Sequence, residues 1–211
     1  MKTMQELVSG ALMATKAPPT KDRPISIETW ESWAAFNTLS DPKLRLMLTE
    51  TANLLLDIKE NQPPRWLTFC GKSGTGKTML AKRLIKAVRN SKFFDSSIEG
   101  GEISYADEFI YWPNISDSLQ AGDQPEALYH ASRVKFLVVD DVGANRDNTG
   151  YVTGRLGNLL GERAGKWTVV TSNLTMEQIS ERLDTRIASR LVRGNNRVVE
   201  IDCIDYALRK L

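Results

Sequence analysis

One glycine-rich stretch has the residue types and spacing that could bind phosphate groups: Gly71-Lys72-Ser73-Gly74-Thr75-Gly76-Lys77-Thr78. It fits the pattern G-x-x-x-x-G-K-[ST] at every fixed position. Glycines at this spacing let backbone N–H groups wrap closely around phosphate oxygens, and the helix that follows adds the positive end of its dipole. The stretch therefore predicts a phosphate-binding loop between a strand and a helix.

Two residues of this loop have distinct predicted roles. The Lys77 ammonium can reach the β- and γ-phosphates of a nucleotide as a point charge, and the Thr78 hydroxyl can ligate Mg²⁺. The alternative is a glycine-rich turn without a ligand. The residues expected to contact the nucleotide are Gly71, Ser73, Gly74, Thr75, Gly76, Lys77, Thr78 and Met79.

A second candidate element is the apolar run at 136–139, which ends in two acids, Asp140 and Asp141. In P-loop enzymes an aspartate at such a strand end holds Mg²⁺, and Asp140 is the candidate for that role. Asp141 would then stand where a carboxylate can orient or deprotonate an attacking water. A solvated turn residue is the alternative for Asp141.

A third apolar strand, at 167–171, also ends in polar residues, among them Asn173. Ligands of open α/β sheets bind at the carboxyl ends of strands, so Asn173 could hydrogen-bond the γ-phosphate or the attacking water. The same residues could instead cap the helix expected from Met176.

Two arginines, Arg186 and Arg190, share one face of a predicted helix because they are four residues apart. A guanidinium stabilises transition-state charge well, so this face could supply an arginine finger to the nucleotide of a neighbouring subunit. The alternative is an ordinary solvated face.

Strand and helix patterns alternate through the chain, which predicts a parallel sheet covered on both faces. The predicted strands are 66–70, 102–105, 135–139, 167–171 and 198–202. The predicted helices are 43–59, 77–89, 107–120, 149–163 and 176–191. Residues 1–24 differ, because a short helical pattern is followed by three prolines. They predict a flexible arm or a partner-docking helix before a compact domain at 25–211.

Composition excludes several classes of protein. The chain has 211 residues, 41% of them hydrophobic and 26% charged, which is enough for one sizeable core. Two cysteines and one histidine exclude a disulfide scaffold and a Cys/His zinc site, and they favour the cytoplasm. A net charge of +2 means that contact with nucleic acid would need a local patch. No apolar run predicts a membrane span, and His130 is expected on a helix surface.

These motifs, in this order, resemble the AAA+ ATPases, most closely the bacterial helicase loaders of the DnaC/DnaI type and their transposition relative IstB. The resemblance covers about residues 60–211 and is carried by residues 71–78 (GKSGTGKT), 136–143 (FLVVDDVG), 168–175 (TVVTSNLT) and 186–194 (RIASRLVRG). It implies a P-loop NTPase fold of the α/β class, a three-layer αβα sandwich. The implied sheet has five parallel strands in the order 5-1-4-3-2, with no separate C-terminal lid.

The resemblance also implies roles for single residues. Lys77 and Thr78 would bind ATP and Mg²⁺, and Asp140 would be the second metal ligand. Asp141 would take the place of the usual AAA+ glutamate. The other implied catalytic or nucleotide-sensing residues are Asn173 as sensor 1, Arg190 as the finger in trans with Arg186 as second choice, and Arg209 as sensor 2.

The function that follows is an ATP-driven switch in DNA replication that forms a homo-oligomer and binds single-stranded DNA and a replicative helicase. Slow ATP hydrolysis, stimulated by partner or DNA, is expected. Such loaders carry a large N-terminal domain, so the short lead-in here leaves a transposase open as the partner. The sequence also leaves open a small-molecule P-loop kinase and a nucleotide-binding scaffold with little hydrolysis.

The family's DNA-contacting helix would correspond to the predicted helix at 107–120. Aromatic residues near it could stack on bases and a basic helix side could follow phosphates, although core packing and a solvated face would explain the same residues. The residues concerned are Phe109, Tyr111 and Trp112, with Lys82, Arg83, Lys86 and Arg89.

Overall fold

The computed structural model describes residues 42–91, 93–94, 97–99, 102–104, 106–145 and 147–203. The predicted arm at 1–24, the lead-in at 25–41 and Arg209 lie outside these ranges. The helices are α1 (Pro42–Glu60), α2 (Lys77–Asn90), α3 (Trp112–Gln120), α4 (Glu126–Arg133), α5 (Tyr151–Glu162), α6 (Met176–Arg182) and α7 (Thr185–Val192). The strands are β1 (Trp66–Gly71), β2 (Ser97–Glu99), β3 (Glu102–Ser104), β4 (Asp107–Tyr111), β5 (Phe136–Val142), β6 (Trp167–Ser172) and β7 (Arg197–Ile201).

Five parallel strands form the central sheet in the order β4-β5-β6-β1-β7. Counted along the chain without the hairpin of β2 and β3, this is the predicted order 5-1-4-3-2. Parallel strands place all their carboxyl ends at one edge of the sheet. The phosphate loop after β1 and the polar residues that end β5 and β6 therefore meet at that edge.

Helices cover both faces of the sheet, which makes it the middle of three layers. Phe136 and Val138 of β5 belong to the buried cluster that includes α1 and α2, whereas Leu137 and Val139 belong to the cluster that includes α3, α4 and α5. Strands buried on both faces need an unbroken apolar run, and β5 has one because successive side chains point to opposite faces. Within the described residues, no helix is both long enough and apolar enough to cross a membrane.

The predicted strand at 102–105 and the start of the predicted helix at 107–120 are wrong. Residues 102–104 pair antiparallel with 97–99 in a separate two-stranded sheet. The edge strand of the central sheet is β4, which pairs with β5, and the helix begins only at Trp112. Pro113 fits the first turn of a helix but not its interior, so the chain before it is free to extend. β-Formers such as Phe109 and Ile110 then join the sheet.

The predicted helix at 176–191 is divided, and α4 was missed. The Asp184 side chain accepts a hydrogen bond of 2.6 Å from the Arg186 N–H and so caps a new helix, α7. Helix α4 carries His130, whose ring lies 3.2 Å from the Glu126 carboxylate on the helix surface. The other predicted elements match the structure apart from a few residues at their ends.

Arg163 hydrogen-bonds several elements at the amino ends of the strands, on the side of the sheet opposite the phosphate loop. Its side chain is fully buried. The guanidinium donates to the carbonyls of Ala131 (3.4 Å), Val134 and Trp167 (2.5 Å) and to the Thr168 hydroxyl (3.2 Å). One side chain therefore joins the ends of α4 and α5 to the start of β6.

Candidate nucleotide-binding site

The phosphate loop joins β1 to α2 and needs glycine at two places. Gly71 has φ +106°, and a Cβ there would lie 2.2 Å from the carbonyl oxygen of Ile201 on β7. Gly76 precedes α2 with φ +92° and ψ 8°, a left-handed conformation that glycine adopts without strain. Helix α2 therefore begins directly at Lys77, and its positive N-terminus faces the loop.

The Lys77 side chain lies inside the loop and is 5% exposed. Its ammonium donates to the carbonyls of Gly71 (2.8 Å) and Lys72 (2.5 Å) and to the Thr75 hydroxyl (3.3 Å). Burial lowers the pKa of this ammonium, and the nearby carboxylate of Asp141 opposes that effect. The predicted cation of the loop is thus placed beside the strand acids.

The other predicted loop residues occupy the same turn. Thr78 lies half-buried in the first turn of α2, next to Lys77. Ser73 and Gly74 are exposed at the tip of the loop, and Met79 is 39% exposed on α2. These positions leave polar and backbone groups of the loop accessible to a ligand.

Asp140 is fully buried at the carboxyl end of β5. Its Oδ1 accepts a hydrogen bond of 2.6 Å from the Thr171 hydroxyl, while no described residue hydrogen-bonds Oδ2. A buried carboxylate oxygen without a partner is costly unless a cation or water meets it. Carboxylate and hydroxyl oxygens are ligands that Mg²⁺ takes, so the donor types of Asp140 and Thr78 are suited to a magnesium ion.

Asp141 departs from the regular strand. It has φ +61°, and the pairing of β5 with β6 shifts register between Val139 and Val142. The side chain of Asp141 is consequently more exposed than that of Asp140, and its Oδ1 accepts a hydrogen bond of 2.7 Å from the Asn173 amide. The structure therefore brings Asp141 and Asn173 together, although they end different strands.

Tyr111 is a residue of this site for which the sequence offered base stacking or core packing, but no contact with the acids. Its hydroxyl donates to Oδ2 of Asp141 at 3.3 Å, because the last residue of β4 lies in register with Asp140. Burial raises the pKa of the Asp141 carboxyl, and the Tyr111 hydrogen bond opposes that rise. No signal in the sequence pointed to this contact, because 107–111 was predicted as helix and only the pairing of β4 with β5 brings Tyr111 to this edge.

The remaining aromatic and basic candidates differ in accessibility. Trp112 is 3% exposed, so its ring belongs to the core and cannot stack on a base. Phe109 is half-buried beneath the Lys82 ammonium, which lies 5.6 Å from its ring centre. Tyr111 is 43% exposed. On α2, Lys82, Lys86 and Arg89 are exposed, Arg83 is half-buried, and Arg89 is paired with Asp107.

The two candidate finger arginines have different surroundings. The Arg190 guanidinium is half-buried on α5, where it donates to the carbonyl of Gly157, and a Cβ at Gly161 would lie 3.3 Å from its Nη2. The Arg186 side chain is 87% exposed and lies 3.6 Å from the Asp184 carboxylate. The closest partner of Arg190 is thus a helix backbone in its own chain.

No protein-family model matches this sequence, and no curated protein matches it either. Solved structures do match. A crystal structure of DnaI is 23% identical with a TM-score of 0.56, and the match covers 79% of this chain and 86% of DnaI. The DnaC helicase loader is 20% identical with a TM-score of 0.57, and the match covers 84% of this chain and 100% of that one.

A third similar structure is the replication initiator DnaA bound to AMPPCP and single-stranded DNA. It is 16% identical with a TM-score of 0.55, and the match covers 75% of this chain and 46% of DnaA. At such identities the similarity shows the fold. The chain shares the three-layer P-loop fold of these helicase-loader and initiator structures, which is the fold that the sequence resemblance predicted.

Proposed function

We propose that this chain is an ATP-binding and ATP-hydrolysing AAA+ switch in DNA replication, acting as a helicase loader. One observation carries the proposal most directly. Asp141 is held by Asn173 beside a buried Asp140 that keeps one oxygen unpaired among the described residues, at the edge of the sheet that also carries Lys77. This is a water-activating carboxylate next to a metal-binding carboxylate and a phosphate-binding cation.

In this proposal the loop holds the triphosphate through its backbone N–H groups, and Lys77 neutralises the β- and γ-phosphates. Thr78 and Asp140 would hold Mg²⁺, which neutralises charge on the phosphate oxygens when bound. Asp141 accepts a proton from water as the water oxygen bonds to the γ-phosphorus. The bond from that phosphorus to the β–γ bridging oxygen breaks, and ADP and phosphate leave. Asn173 orients the carboxylate or the water.

Arg190 would complete the site of a neighbouring subunit, which makes the active form a homo-oligomer assembled with ATP. Its guanidinium can stabilise the charge that develops on the transferred phosphoryl group. To do so it must leave the Gly157 carbonyl or carry α7 towards the neighbour. The proposal therefore couples oligomer assembly to the position of α7.

The proposed partners are single-stranded DNA and a replicative helicase, and the proposed location is the cytoplasm. Lys82 of α2 lies over the Phe109 ring of β4, and α2 exposes Lys82 and Lys86 beside that strand. DNA would contact these two lysines and Tyr111, which ends β4. A Lys86→Glu variant should bind single-stranded DNA more weakly, whereas Lys59→Glu, an equal charge change at an exposed site on α1, should not. Equal losses in both variants would contradict this DNA face.

The test of the ATPase proposal is ATP binding and single-turnover hydrolysis with and without single-stranded DNA. Asp141→Asn should keep ATP affinity and lose hydrolysis, because the amide cannot accept the proton. Asp123→Asn, at an exposed turn, is the matched control and should behave like the wild type. Wild-type protein that binds no ATP, or an Asp141→Asn variant of unchanged rate, would overturn the proposal. Phosphorylation of a nucleoside acceptor would favour a kinase instead, and capture of a transposase would favour the IstB-like role.

A further inference from the structure

We propose that Thr171 is a positioning residue that sets the orientation of both acids at once and leaves Asp140 one defined oxygen for Mg²⁺. The inference rests on the proposed ATPase function. Thr171 lies on β6, is 1% exposed, and touches the two acids from the neighbouring strand. Its hydroxyl donates to Oδ1 of Asp140 at 2.6 Å and accepts from the backbone N–H of Asp141 at 2.9 Å.

The first contact selects between the two oxygens of Asp140. A hydroxyl has one proton to donate, and the short distance to the carboxylate is that of a charge-assisted hydrogen bond. Oδ1 is therefore occupied by Thr171, whereas Oδ2 has no hydrogen-bond partner in the described part of the chain. Thr171 thus holds the side chain of Asp140 in the orientation that leaves Oδ2 for a cation.

The second contact supports the backbone of Asp141. The register of β5 against β6 shifts between Val139 and Val142, so the ladder pattern is interrupted at Asp141. The Thr171 hydroxyl accepts the Asp141 N–H and stabilises a backbone with φ +61°, which is strained for a residue other than glycine. Because one oxygen serves both contacts, the metal-binding acid and the water-activating acid are oriented together.

Two other buried hydroxyls of the sheet, those of Ser172 and Thr68, do not contact either acid. The Ser172 hydroxyl donates to the Val142 carbonyl at 2.6 Å. This bond stabilises the backbone at the end of the bulge and does not contact an acid. Thr68 on β1 is also fully buried, but its hydroxyl has no partner among the described residues. Thr68→Val therefore removes a buried hydroxyl from the same sheet without touching either acid, and it serves as the matched control.

The experiment measures the affinity of the full chain for a mant-labelled ATP, first in EDTA and then with Mg²⁺. Thr171→Val keeps the shape of the side chain and removes the hydroxyl. We expect its affinity in EDTA to match the wild type and its gain in affinity from Mg²⁺ to fall roughly tenfold, as losses of metal-site supporting groups do. Thr171→Ser should retain most of the gain in affinity from Mg²⁺, and Thr68→Val should retain all of it.

The outcomes separate this inference from the proposed function. If Mg²⁺ raises the nucleotide affinity of Thr171→Val as much as that of the wild type, the inference is overturned. It is also overturned if Thr171→Ser loses as much of the Mg²⁺ effect as Thr171→Val does. A loss of affinity already present in EDTA would place the damage in the phosphate loop and contradict the inference as well. If Mg²⁺ does not raise the nucleotide affinity of the wild type, the proposed function is contradicted, whatever the variants do. Should Thr171→Val not fold, Thr171→Ala removes the same hydroxyl and carries the same expectation.

Discussion

The side-chain amide of Asn173 lies 2.7 Å from Oδ1 of Asp141 and joins the carboxyl ends of β6 and β5. In the proposed mechanism this hydrogen bond would orient the short side chain of Asp141 towards the attacking water. The bulge turns Asp141 away from the buried position of Asp140, and the amide then holds its carboxylate at the edge of the sheet. The proposed proton acceptor and its proposed orienting group therefore both lie at the carboxyl ends of strands.

Replacing Asn173 with alanine should lower hydrolysis without changing ATP affinity, because the amide orients the carboxylate rather than holding the phosphates. Loss of one positioned hydrogen-bond donor in an active site costs roughly 100-fold in rate. Single-turnover hydrolysis and equilibrium ATP binding measure the two effects separately. Asn158→Ala, at an exposed position on α5, is the control. Equal rates for Asn173→Ala and wild type would remove Asn173 from the mechanism.

Lys77→Ala should weaken ATP binding by roughly 10- to 100-fold, since it removes a buried cation that can hydrogen-bond the phosphates. Lys72→Ala in the same loop should have a small effect, because the Lys72 side chain is 71% exposed and pairs with Asp202 at 2.5 Å. Titration calorimetry with ATP and Mg²⁺ distinguishes the variants. Similar losses in both would mean that loop charge alone governs binding.

The proposed trans role of Arg190 predicts complementation between two inactive variants. Lys77→Ala has a weakened nucleotide site but keeps the arginine, and Arg190→Ala keeps the site but lacks the arginine. An equimolar mixture should hydrolyse ATP faster than the sum of the separate proteins, measured at steady state with single-stranded DNA. Arg186→Ala tests the second candidate in the same way. No gain on mixing either pair would show that neither arginine acts across subunits.

Arg163→Met should destabilise the fold by about 3 kcal/mol or more, because the buried carbonyls that Arg163 satisfies would lose their donors. Urea unfolding followed by circular dichroism gives the free energy of unfolding. Arg182→Met, at an exposed position on α6, should change it by less than about 0.5 kcal/mol. Comparable stabilities of the two variants would mean that water replaces the guanidinium at these carbonyls.

Cys70 should resist alkylation while the protein is folded. Burial and the charge of Glu200 raise the pKa of its thiol to about 12, so at pH 8 only about one molecule in ten thousand carries the reactive thiolate. Iodoacetamide labelling followed by peptide mass spectrometry should find Cys70 unmodified in buffer and modified in urea. Rapid labelling of Cys70 in buffer would show that β1 opens readily beside the phosphate loop.

The positions of the candidate site residues could be predicted from the sequence wherever the residues concerned are consecutive. The phosphate loop at 71–78 and the acid pair after 136–139 are local patterns, because a glycine-rich turn and a buried strand impose their own residue types. The order of the central strands followed from the resemblance that these motifs carry. Tertiary pairing was needed to choose between 102–104 and 107–111 as the edge strand, since both segments can extend and only the second meets β5.

The differences between chemically similar residues were decided by tertiary structure alone. Asp140 and Asp141 are adjacent and identical in type, yet a bulge against β6 buries one and leaves the other accessible to Asn173 and Tyr111. The sequence predicts only that Thr171 lies in a strand. The pairing of β5 with β6 is what places its hydroxyl between the two acids. Residue type determines which chemistry is available, whereas packing over long sequence separations determines which atoms can perform it.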